Sequence, residues 1–123
     1  MMKGVTATVF GGMADPQRSA YDGHLITDQE YSVALPYFFA RPRPVVRVVN
    51  PRNGKALRCL VSDVGPWYTH DPYWTTGLRP RSERQRVDEL GRHTNRAGID
   101  LSPGAARYLG IDGMGLVDWE FVT

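Results

Sequence analysis

Cysteine, lysine and long apolar runs are all scarce in this chain, and each scarcity removes a class of explanation. A single cysteine, Cys59, in 123 residues excludes an internal disulfide, so the fold must be held by its core. Its setting, Ala56-Leu57-Arg58-Cys59-Leu60-Val61, reads as a strand in which Cys59 is a small buried hydrophobe rather than a nucleophile. No apolar run approaches the ~20 residues of a membrane span. The start Met1-Met2-Lys3-Gly4-Val5 lacks the hydrophobic stretch of a secretion signal, which implies either no export or a signal already removed. Lys3 and Lys55 are the only lysines among 15 basic side chains, and the formal net charge is only +2, so charge alone does not point to nucleic acid as a partner. His24, His70 and His93 show no ligand spacing, and glycine-rich phosphate motifs are missing. Neither a metal centre nor a cofactor is expected.

What is present is a composition of 41% hydrophobic and 23% charged residues, that of one soluble globular domain spanning 1–123. Residues 5–10, rich in β-branched side chains and stopped by Gly11-Gly12, read as a first strand. Residues 45–49 and 55–61 flank Asn50-Pro51-Arg52-Asn53-Gly54, a hairpin whose Asn-Gly supplies a positive-φ turn. Residues 67–98 have the character of one long insertion, aromatic first and then polar. Within it Ser82 and Gln85 resemble a capping box, Arg84 and Asp88 stand four apart, and Gly91 follows, which predicts a short exposed helix over 83–90. Ser102-Pro103 and Gly110 punctuate a second helix. Residues 116–122 alternate Val117, Trp119 and Phe121 against Asp118 and Glu120, as in a half-buried last strand. Tyr37, Phe38 and Phe39 are expected in the core.

In this order the pieces resemble the double-psi β-barrel proteins of the RlpA-like group. The resemblance is carried by Leu35-Pro36, Asn53-Gly54, Asp63 with Gly65-Pro66-Trp67, Ile99-Asp100-Leu101-Ser102, and Ala105-Ala106 with Leu109-Gly110. It implies a mainly β, six-stranded double-psi barrel with one short helix after Asp100 and a groove that binds polysaccharide, usually peptidoglycan. In some members it also implies lytic transglycosylase activity. Expansins, family 45 cellulases and the three-aspartate domain of other lytic transglycosylases are related barrels, most of them acting at the cell envelope or outside the cell. The chain departs from the pattern at Tyr31-Ser32-Val33-Ala34-Leu35-Pro36, where no histidine precedes Leu-Pro, and in the length between Asp63 and Asp100.

The resemblance places acidic residues along one groove, here Asp63 and Asp100, with Asp22 as a looser third. Asp63, closing an apolar strand, is the first choice for acid/base and Asp100 for its neighbouring carboxylate. Trp67, Tyr68, Tyr21 and Trp74 are the expected sugar-binding aromatics, with His24 beside Asp22 as a further substrate-binding candidate. Asp63 and Asp100 serve equally as acceptors for backbone N–H groups of their turns, which leaves a non-catalytic carbohydrate- or protein-binding module as an alternative. A second alternative is a basic module for an anionic polymer built on Arg79, Arg81, Arg84 and Arg86. The leading expectation is a monomer that binds a glycan polymer.

Overall fold

The computed structural model describes residues 1–122. Six strands, β1 (Met2–Val9), β2 (Ser32–Leu35), β3 (Val45–Val49), β4 (Ala56–Val64), β5 (Ile99–Leu101) and β6 (Met114–Val122), close a barrel in the order β1-β5-β2-β4-β3-β6. Three short helices accompany them: α1 (Tyr73–Thr76), α2 (Arg81–Gln85) and α3 (Pro103–Leu109). The protein is therefore mainly β, with the six-stranded barrel that the resemblance implies. None of the helices among the described residues is long and apolar enough to cross a membrane.

Closure depends on β6, which is antiparallel to β1 through Val5↔Val117 and to β3 through Val48↔Trp119. Strand alternation sends Val5, Ala7, Val33, Leu35, Val46, Val48, Cys59, Val61, Val117 and Trp119 into a fully buried interior. Burial pushes the Cys59 thiol up to about 12, so it remains protonated and inert at neutral pH. The 50–54 turn also serves α3. Asn50 and Asn53 donate side-chain N–H bonds of 2.8 and 3.0 Å to the Leu109 carbonyl, and Gly110 (φ 74°) then reverses the chain.

The predicted helix over 83–90 is displaced and shortened to Arg81–Gln85. Ser82, expected as its cap, is buried and donates instead to the Ala97 carbonyl over 2.5 Å. Arg86, at φ 63°, ends the helix, while Asp88 binds Arg92 and accepts from the Leu90 and Arg92 N–H groups rather than pairing with Arg84. The aromatic expectation also needs correction. Phe39 is half-buried against the core as expected, but Phe38 is exposed and Tyr37 is only half-buried; Tyr37 and Phe39 join Trp74 and Phe121 in a cluster of edge-on and stacked rings. A run of three aromatics after Leu-Pro does not continue the strand, because β2 stops at Leu35.

A candidate acidic groove on the outer wall

The strand register sets up the site. Thr8 pairs with Asp100, Asp100 with Ala34, and Ala34 with Asp63, so four residues on β1, β5, β2 and β4 form one row across the barrel wall. Their in-chain neighbours Ala7, Leu101, Val33 and Leu35 point inward, so the row faces outward. Asp63 reaches it only through a bulge: Val33 pairs with Val61 but Ala34 pairs with Asp63, which makes Ser62 an extra residue. Strict alternation after buried Val61 would have turned Asp63 into the core. Ser62 is itself satisfied, donating 3.0 Å to Ser32 Oγ.

Two strand spacings separate the Asp63 and Asp100 backbones, roughly 10 Å, with the small Ala34 between them. Phe10 and Ile26, from the segment after β1, pack on Ala34, and Phe10 with Ala34 lines the groove. Burial pushes the Asp100 carboxyl up to about 6; the Thr8 hydroxyl, donating over 2.5 Å, opposes this, and the charges of Asp63 and Asp15 add to it. Asp63 is 8% exposed and is also raised by burial, against the N–H bonds it accepts from Val64 and, over 3.0 Å, from Ala20. The order of the two acids is thus the reverse of the sequence expectation: Asp100 is the more strongly perturbed, while Asp63 has more backbone support.

The groove encloses about 430 Å³ and is bounded by Thr8, Asp15, Gln17, Asp63, Trp67, Asn95 and Asp100, among others. Trp67 sits directly after Gly65-Pro66 in a left-handed conformation (φ 67°), and its indole N–H donates 2.8 Å to Asn95 Oδ1, which fixes one wall. Gln17 donates 2.8 Å to Asp15 on the other side.

Several residues expected in the groove lie elsewhere. Asp22 is on a separate loop and exposed; the His24 imidazole, 2.5 Å away, holds its carboxyl down at about 2. His24 also reaches Glu30 at 3.1 Å, so it staples its loop rather than facing the groove wall. Tyr68 is buried beneath Arg81, with its hydroxyl donating to the Val87 carbonyl, because the left-handed turn at Trp67 points the next side chain inward. Trp74 packs on Trp119 and Phe121 beside β6, away from the acids. Tyr21 borders the groove without lining it: its hydroxyl donates to the Tyr37 carbonyl and accepts from the Phe39 N–H. Three of the four arginines of the expected basic face are engaged internally, while Arg86, at the end of α2, is exposed. Arg79 bonds the Lys3 and Gly4 carbonyls and Glu83, Arg81 bonds Gln85, and Arg84 bonds the Arg79 carbonyl.

Thr8, Asp15, Gln17 and Asn95 were missed. Thr8 had a usable signal, an outward position between buried strand residues; the other three lie in irregular loops brought together only by the fold.

The fold and this groove define a closed β-barrel with an acidic outer cleft. By sequence, the chain belongs to a family described as a domain of unknown function (DUF8814), whose model matches residues 3–90 and so includes Asp63 but not Asp100. Among solved structures it is similar to the Streptomyces papain inhibitor (SPI), with 23% identity and a TM-score of 0.56, over 99% of this chain and 94% of that one. None of the curated proteins matches it.

Proposed function

We propose that the outer groove binds a glycan strand, peptidoglycan being the leading candidate, and that Asp100 cleaves it as a lytic transglycosylase acid/base. The observation that carries this reading is the single row that sets two raised carboxyls on either side of Ala34, in an open groove walled by Trp67. The RlpA-like resemblance of Asp63-Val64-Gly65-Pro66-Trp67 and Ile99-Asp100-Leu101-Ser102 supports it.

In this mechanism the protonated Asp100 carboxyl gives its proton to the glycosidic oxygen as the bond to the anomeric carbon breaks. The resulting carboxylate then takes the proton of the sugar's own C6 hydroxyl while that oxygen closes on the anomeric carbon. No water is consumed, and the product is an anhydro-sugar end. Asp63, held by two N–H donors, supplies negative charge beside the oxocarbenium-like transition state. Trp67 offers an apolar surface to a sugar ring.

The test is to incubate the protein with purified peptidoglycan of several cell-wall types and search for anhydro ends by mass analysis. The wild type should form them with a rate that falls as pH rises above about 6, and Asp100→Asn should lower that rate on the order of a hundredfold. Absence of anhydro product from every wall type would reject the catalytic proposal.

A second reading, a protein-binding module, draws support from the fold shared with the Streptomyces papain inhibitor. Residual papain activity in the presence of excess protein tests its most specific form: full activity rejects papain as the partner.

A further inference from the structure

We infer that the cleft bounded by Asp22, Arg41, Pro42 and Arg43 is a second subsite, one that takes a carboxylate carried by the polymer in the acidic groove. This inference rests on the glycan reading above and specifies it as an acidic glycan.

Arg43 carries the argument. Its guanidinium lies 5.3 Å over the Tyr21 ring, and its Nη1 is buried with no hydrogen-bond partner. Nη2 approaches Asp22 at 3.6 Å, too far for a hydrogen bond. A guanidinium cannot relieve such a deficit by losing its proton, so the Nη1–Nη2 fork retains unused donors with the geometry of a carboxylate clamp.

Arg41 lines the same cleft and is held only by a long 3.4 Å bond to the Tyr21 carbonyl. Asp22 offsets only one of the two guanidinium charges, and its carboxylate also binds His24 through the imidazole at 2.5 Å and the backbone N–H at 3.0 Å. Two arginines against one aspartate leave a single positive charge, which suits a carboxylate better than a dianionic phosphate.

The cleft also adjoins the groove. Ala20 donates its N–H to Asp63, and the next residue, Tyr21, feels the charges of both Asp63 and Arg43. A polymer crossing Asp100 and Asp63 therefore meets Arg43 next, at an opening of about 570 Å³ that accommodates a charged substituent.

The experiment compares binding of soluble peptidoglycan fragments with free carboxylates against the same fragments after amidation, at constant ionic strength. The wild type should prefer the free acid on the order of tenfold, and Arg43→Gln should bind both forms alike. Arg41→Gln, altering an exposed side chain, repeats the comparison should Arg43→Gln melt early. Equal binding of both forms by the wild type overturns the subsite and leaves the glycan reading standing. Binding of neither form defeats the glycan reading and this inference with it. Competition by inorganic phosphate stronger than by acetate overturns the assignment to a monoanion.

Discussion

Replacing Asp100 by Asn should make the protein more stable at neutral pH. Burial, joined by the charges of Asp63 and Asp15, lifts this carboxyl from 3.8 to about 6, so the folded state holds its proton more tightly than the unfolded chain does. The sign is fixed by linkage. Below the unfolded value the group is protonated in both states and costs nothing. As pH rises from there through the folded value, the unfolded chain ionises first and gains the advantage. The displacement converts to about 3 kcal/mol at most, lost between roughly pH 4 and pH 7. Asparagine is neutral throughout and its Oδ1 can still accept the Thr8 hydroxyl, so the variant removes the ionisation cost without orphaning a donor. Denaturant unfolding at about pH 4 and about pH 7.5 reads the difference between wild type and variant at each pH. The variant should gain up to about 3 kcal/mol at the higher pH and lose most of that gain at the lower. A gap independent of pH, or a variant less stable at pH 7.5, would refute the argument that Asp100 is held in a site hostile to its charge. A gain in stability together with loss of the proposed glycan cleavage is the trade expected of a catalytic acid.

His24 shows the opposite sign. Its bond to Asp22, aided by Glu30, raises the imidazole above its ordinary 6.5, so its stabilisation is full below that value and disappears as pH rises through the raised one. His24→Ala should therefore lag the wild type in denaturant at about pH 5.5 and converge with it at about pH 9; a gap that widens with pH would contradict the staple. Tyr73→Phe tests the core: the Tyr73 hydroxyl accepts from Trp119 Nε1 at 3.0 Å and donates to the Gly98 carbonyl at 2.9 Å, both buried. Leaving those two groups unpaired should cost about 1–3 kcal/mol, read from the urea midpoint, and an unchanged midpoint would show that the residues around them repack.

Four of the six strands were legible because β-branched runs, period-two alternation and the Asn53-Gly54 turn are local signals, and the Ser102-Pro103 to Gly110 punctuation marked α3 for the same reason; β2 and β5, only four and three residues long, carry too little pattern and entered through the resemblance alone. Asp63, Asp100 and Trp67 were likewise found from motifs on or beside strands. The region 67–98 defeated local reading. Ser82 looks like a cap in sequence, yet tertiary burial beneath Ala97 gives its hydroxyl another partner. Tyr68 and Trp74 look like exposed stacking platforms, but the barrel's edge draws both into packing. The resemblance groups Asp22 with the other acids as a loose counterpart, and the sequence holds nothing that separates the three carboxylates by their surroundings. What distinguishes them is solvent: Asp22 sits in water beside an imidazole, whereas Asp100 and Asp63 are desolvated on the wall. Asp15, which takes the third acidic position in the groove, comes from a loop with no periodicity to place it.

The bulge at Ser62 means that the address of Asp63 is written in a count of residues rather than in any side chain. A ladder paired regularly through Ser62, with no bulge, would turn this acid from the outer wall toward the interior, silencing the groove while every one of its chemical groups remained encoded. The pairing register ahead of the Asp-x-Gly-Pro turn therefore decides which face of the wall this aspartate meets.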